Sequence, residues 1–203
     1  MLRSRLILLA LLAVCFCGGG ATMVRGADDP APVKAAPGEF RAIDADGHNV
    51  LINRPGKITV VIGTNQDSQD QARAAGRAMY PFQGMPTFRL IVIADVRDSM
   101  ATWVPSLVTS RMRVSLDHEA YELKPYYLKN GNTNDPRKFS CAIADFSGVI
   151  CPQLGWEKPT SNLRGIIFGT DGHVLKRWED LSDLKELQDE VRKALHVAPV
   201  ATP

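Results

Sequence analysis

Apolar positions along this chain change period several times, and each change marks an element. "EFRAIDADGHNVLI" holds two short alternating pieces around Asp46-Gly47, a dipeptide that supplies the positive φ angles of a tight turn, and so predicts a β-hairpin. "KITVVI" (Lys57 to Ile62) is a β-branched run suited to a buried strand. From about Ser68 to Met79 the period becomes helical, with Asp67 or Ser68 as the cap and Ala72, Ala75 and Met79 facing inward. Pro81, Gly84 and Pro86 break the chain before "FRLIVIA" (Phe88 to Ala94), whose continuous apolarity predicts a central parallel strand buried on both faces. Strand, helix and strand at this spacing form a βαβ unit.

From Asp98 to Lys138 the pattern is harder to read. Trp103, Val104, Leu107, Val108 and Met112 recur at helical spacing, with Pro105 acceptable only in a first turn, and "KNGNTNDPRK" is a loop. Arg111 and Arg113 suit either an anion site or a solvated helix face. "SCAIADFSG" predicts another buried strand and turn, and "VICPQLGW" either a short helix or the return arm of a hairpin. "LRGIIFGTDGHVLKRWE" predicts a strand pair around Asp171-Gly172. Last, "LSDLKELQDEVRKAL" aligns Leu184, Leu187, Val191 and Leu195 on one stripe, with Ser182 able to cap the helix.

The ends of the chain change the picture of where it works. Residues 1–26 carry Arg3 and Arg5, an unbroken apolar run from Leu6 to Cys17 and then small residues, the three-part pattern of a signal peptide. Cleavage after Ala21 or Gly26 fits the small-residue rule. The run falls short of the ~20 apolar residues of a spanning helix, so no permanent membrane span is expected after cleavage. A lipid anchor on Cys15 would place Val14 where a small residue is wanted. Residues 27–38 read as a flexible lead-in and 197–203 as a disordered tail, leaving 39–196 as one folded domain. The expected location is periplasmic or secreted. A net charge of +2 without a basic stripe gives nucleic-acid binding no electrostatic basis.

Export would remove Cys15 and Cys17 and leave Cys141 and Cys151 as the remaining cysteines. Three readings stay open for that pair: two separate buried side chains, a structural disulfide, or a catalytic pair. His48, His118, His173 and His196 are scattered without ligand spacing, and a calcium loop on Asp44 and Asp46 lacks the following bidentate Glu. No metal site or cofactor is expected, and the Ser-centred hydrolase motif G-x-S-x-G is absent.

Three pieces in order, "FRAIDADGHNVLINRPGKITVVI", "CAIADFSGVICPQLGW" and "GIIFGTDGHVLKRW" before a terminal helix, resemble the redoxin branch of the thioredoxin fold over roughly Glu39 to His196. Within it the chain is similar to YtfJ-like secreted proteins, which lack the cysteine pair. The resemblance implies an α/β domain: a central mixed sheet, helices on both faces and an N-terminal β-hairpin. It places the redox Cys-x-x-Cys at the strand-to-helix junction, where this chain has Thr64, Asn65, Gln66, Asp67, Ser68 and Gln69. In peroxiredoxin-like members Thr64 would match the conserved Thr, with Asp67 in the place of the cysteine. The cis-proline of the family falls near Leu163. Asp95 and Arg97 follow the second core strand and should approach Asn65 and Asp67, lining a pocket with Leu163 or merely capping the sheet. The implied function is a non-redox binding or accessory module with an envelope protein or small-molecule partner. The alternatives are a thiol-disulfide oxidoreductase using Cys141 and Cys151, and a structural envelope component.

Overall fold

The computed structural model describes residues 38–99 and 103–196. The expected signal peptide, all but the last residue of the expected lead-in, and the expected C-terminal tail lie outside the described residues. β1 (Arg41–Ile43) and β2 (Asn49–Leu51) form the antiparallel entry hairpin, closed by Gly47 at φ 87°. The main sheet comprises β3 (Ile58–Thr64), β4 (Phe88–Asp95), β5 (Cys141–Asp145), β6 (Arg164–Phe168) and β7 (Val174–Trp178), in the order β5-β4-β3-β6-β7. β3, β4 and β5 run parallel, and β6 and β7 alternate antiparallel beside them. The helices are α1 (Gln69–Ala78), α2 (Pro105–Lys129), α3 (Ile150–Gln153) and α4 (Leu184–Ala194).

β3 is central, and every one of its residues is buried. Its period of two divides the core. Ile58, Val60 and Ile62 pack with Ala72, Ala75 and Met79 of the α1 side and with Leu187 and Val191 of α4. Val61 points the other way, into a layer made with Val50 and Ile52 of the hairpin region, Cys151 of α3, Leu154 and Trp156. The α4 stripe is thus docked as its periodicity implies, with Leu187 and Val191 fully covered and Leu184 and Leu195 partly so. Its cap is Asp183 and not Ser182: the Asp183 carboxylate accepts from the backbone N–H groups of Lys185 and Glu186, two donors that the first turn leaves without partners.

One expectation is corrected. β4 lies between β3 and β5, but Leu90 and Val92 are only half-buried, because α1 and α4 are centred over β3 and leave that side of β4 partly open. Pro105 opens α2 as expected, and the apolar residues at its start are exposed: Trp103 keeps 85% of its surface, Val104 46% and Leu107 43%. The helix is anchored instead by its second half. Leu123 and Tyr127 pack on Tyr80 in the 3-10 turn Tyr80–Phe82, and the helix runs through Pro125. No described helix is long and apolar enough to cross a membrane.

Candidate functional site

The carboxyl ends of β3 and β4 and the amino end of β6 meet around the start of α1, and one side chain organises the junction. Asn65 Oδ1 accepts from the N–H groups of Asp67 and Ser68 and from the Ser68 hydroxyl, at 3.0, 3.1 and 3.0 Å. Ser68 Oγ in turn accepts from Asn65 N at 3.1 Å and stands 3.1 Å from Thr64 Oγ1. Asn65 Nδ2 reaches across to the carbonyl of Thr160 at 2.8 Å, tying the junction to the segment before β6. Ser68 therefore occupies the cap position of α1 without bonding the helix amides, its hydroxyl being spent on Asn65. The amides that a helix start offers to an anion are partly taken by the chain's own Asn65. Gln66 and Asp67 are exposed, and Gln69 is half-exposed.

β3 also comes unusually close to Trp156. A Cβ on Gly63 would stand 2.6 Å from Trp156 Cζ3, so glycine is what lets the indole lie against the strand. The indole is held from behind. Arg97 forks onto Asp95, Nε to Oδ1 at 2.9 Å and Nη2 to Oδ2 at 2.7 Å, while donating to the carbonyls of Trp156 and Glu157 at 3.0 and 2.9 Å. Burial pushes the pKa of Asp95 up, but the hydrogen bonds and charge of Arg97 outweigh it and hold the carboxyl below its ordinary range.

A small cavity opens between these groups, with about 10 Å³ open to the centre of a water, the space of one such molecule. Of the residues that sequence reasoning placed here, Thr64, Asn65 and Asp95 line it. Asp67 faces solvent, Arg97 stands behind Asp95, and Leu163 is 1% exposed within the core layer that packs on α1 and α4. In the alternation of β6 the neighbouring Arg164 takes the position on the cavity side. Gly63, Cys151, Trp156, Thr160, Asn162 and Arg164 complete the lining and were not anticipated there. The described peptide bonds are all trans.

The two cysteines sit at opposite ends of β5. Cys141 opens the strand and Cys151 lies in α3, so the short-helix reading of "VICPQLGW" holds and the hairpin one does not. Both thiols are free and buried. Asp145, fully buried at the end of β5, accepts from the N–H groups of Val149 and Cys151 at 3.1 and 2.8 Å and from the Ser147 hydroxyl at 3.3 Å. Sequence reasoning missed this residue, although an Asp just before a Ser-Gly turn is the local signal for such a cap. Burial pushes the Cys151 thiol up, and the Asp95 and Asp145 carboxylates push it further. Burial also raises Cys141, to about 12. Neither is an available thiolate at neutral pH.

Away from the junction, all four histidines are exposed. Asp44, Asp46 and His48 come within 4.8 Å of one another, but Arg137 forks onto Asp46 at 2.8 and 2.9 Å and Arg113 approaches it at 3.6 Å. A guanidinium thus fills the place a cation would take.

No protein-family model and no curated protein matches this chain. Solved structures similar to it include MTB dsbF, at 18% identity over 76% of this chain and 94% of that one, with a TM-score of 0.49. StoA from Bacillus subtilis is similar at 11% identity over 78% and 99%, with a TM-score of 0.47. A secreted Mycobacterium tuberculosis disulfide oxidoreductase follows at 14% identity over 77% and 96%, with a TM-score of 0.46. What decides the architecture is the sheet itself: a parallel βαβ unit, then an antiparallel pair β6-β7 added on the β3 side, then a terminal helix on the α1 face. The fold is thioredoxin-like. A two-stranded entry hairpin precedes β3. In this thioredoxin-like domain the junction at the start of α1 itself presents an amide, hydroxyls and a carboxylate; the buried Cys151 adjoins it on the cavity wall, and Cys141 lies at the far end of β5.

Proposed function

We propose that this chain is an exported thioredoxin-fold binding or accessory module that runs no thiol chemistry, working in the periplasm or outside the cell on an envelope protein or small-molecule partner. The observation that carries the reading is the junction closed on Asn65, three donors on one carbonyl oxygen, at the point where the redox branch would have its cysteines. Export is supported by the Arg-apolar-small pattern of residues 1–26. The oxidoreductase alternative asks Cys141 and Cys151 to act together. β5 separates its ends by on the order of 13 Å at ~3.3 Å per residue, beyond the ~7 Å Cα limit for a disulfide, and both thiols are buried and raised.

The test is the purified mature chain in insulin-reduction and peroxide-consumption assays, beside its Cys141→Ser/Cys151→Ser variant. Both proteins should run at the rate of the enzyme-free control. Turnover that disappears in the double serine variant would establish the oxidoreductase alternative instead.

A further inference from the structure

We infer that the outward face of α2 is a docking surface for an anionic lipid membrane. This goes beyond the function proposed above and uses none of the residues at the α1 junction. α2 is apolar on two sides. Inward, Ala120, Leu123 and Tyr127 are buried. Outward, Leu107, Val114, Tyr121 and Leu128 recur in steps of seven, two turns apart and so on one side of the helix, and they keep 43%, 66%, 71% and 64% of their surface. Trp103 and Val104 continue the line just ahead of the helix. Six of the ten large hydrophobic side chains exposed among the described residues therefore lie on one line. Single exposed apolar residues are ordinary on a protein surface, but such a concentration marks an interaction site.

Charge names the occupant. Between Asp98 and Asp117 the chain carries Arg111 and Arg113 and no acidic residue. Further along, the Lys124 ammonium stands 5.5 Å from the centre of the Tyr121 ring, beside the line. The carboxylate next to it, Asp117, is held by Arg137 at 2.6 Å, Glu119 is turned to Tyr80, and Glu122 stands one position off the line. A second copy would set this cationic face against itself, whereas anionic headgroups complement it. The shape agrees. The face is a convex ridge on the order of 37 Å long at ~1.5 Å per residue, and its apolar side chains stand about two turns apart. A fluid lipid surface admits each of them separately, while a protein partner would have to fit a hole around each. Trp103 and Tyr121 would sit at headgroup level, with the long Arg and Lys side chains reaching the phosphates.

The test is flotation of the mature chain with lipid vesicles, one set of pure phosphatidylcholine and one with about 30 mol% phosphatidylglycerol, an anionic lipid. The chain should partition onto the anionic vesicles at least ten-fold more strongly than onto the neutral ones, and binding should fall as salt is raised from about 0.05 to about 0.5 M. Trp103→Ala/Leu107→Ala should lose at least ten-fold and Lys124→Glu at least three-fold, and each altered side chain is exposed, so folding is safe. Val174→Ala/Leu175→Ala, at an exposed apolar pair on β7, should bind as wild type. Trp103→Phe should still bind but lose most of the blue shift of tryptophan emission that binding brings. Equal binding to both vesicle types, binding to neither, or unchanged binding in Trp103→Ala/Leu107→Ala overturns the surface. Self-association in sedimentation velocity that Trp103→Ala/Leu107→Ala abolishes would assign the face to a second copy, and displacement from vesicles by poly-L-glutamate at matched charge would assign it to an acidic protein; either result overturns the lipid reading.

Discussion

Adding a single methyl group at Gly63 tests the packing on which the candidate site is built. In Gly63→Ala the new Cβ would meet Trp156 Cζ3 at 2.6 Å, Cη2 at 2.8 Å and Cε3 at 3.1 Å, contacts that require movement of a ring with 1% exposure. The ring has little room to give, because it is packed in the layer with Val61, Cys151 and Leu154. Overpacking of this kind costs roughly 1–3 kcal/mol. Removing glycine from the unfolded chain returns roughly 0.4–1 kcal/mol, and Gly63 has no positive φ to forbid alanine. A net loss of about 1–2 kcal/mol follows, or a fall in Tm of roughly 2–8 °C for a domain of this size. Urea unfolding followed by far-ultraviolet circular dichroism measures it without relying on the tryptophan. Repeating the substitution in a Trp156→Leu background removes the obstacle, and there Gly63→Ala should cost nothing or stabilise. An unchanged midpoint in the wild-type background, or an equal loss in both, would refute the claim that the indole is seated on β3.

Two further outcomes are expected. Leu187→Ala, at a position with no exposed surface between α4 and the sheet, should cost about 2–5 kcal/mol in the same urea assay, and a loss under about 1 kcal/mol would mean that α4 is not docked. The folded-state pKa of Asp95 is depressed, so its contribution is present above the ordinary Asp value of 3.8 and is lost as pH falls through the lower folded value. In Arg97→Gln the side-chain hydrogen bonds and charge are lost while the residue-97 N–H and Arg164 remain, so Asp95 is depressed less and the stability gap between wild type and variant should narrow as pH falls from about 5 to about 2.5; a gap independent of pH contradicts the pairing.

The parts of this fold that could be read from sequence are those whose cause is local. Asp46-Gly47 and Asp171-Gly172 mark the tips of two hairpins because the turn needs residues that tolerate positive φ, and Gly47 and Gly172 adopt it at 87° and 80°. The stripe on α4 and the β-branched run of β3 are periodic patterns that only one face-to-face packing satisfies. The start of α2 shows the complementary limit: spacing shows that Trp103, Val104 and Leu107 lie close together on a helix, but not whether anything covers them.

At the candidate site the same division holds. The sequence alone determined that Asn65 to Gln69 hold no thiol and that two cysteines lie near β5. Only the tertiary structure decided that Asn65 turns its carbonyl onto the amides of Asp67 and Ser68 just ahead of α1, that Asp145 rather than a cysteine partner holds the N–H of Cys151, and that Arg164 rather than Leu163 lines the cavity. Residues 65, 95, 151, 156 and 164 come from four stretches of chain, Cys151 and Trp156 sharing α3 and the turn that closes it. Which of them meet is set by strand order, by the two-residue alternation of β6 and by the gap that Gly63 leaves for Trp156. Those are long-range packing events, and the hydrophobic pattern encodes burial without naming the partner.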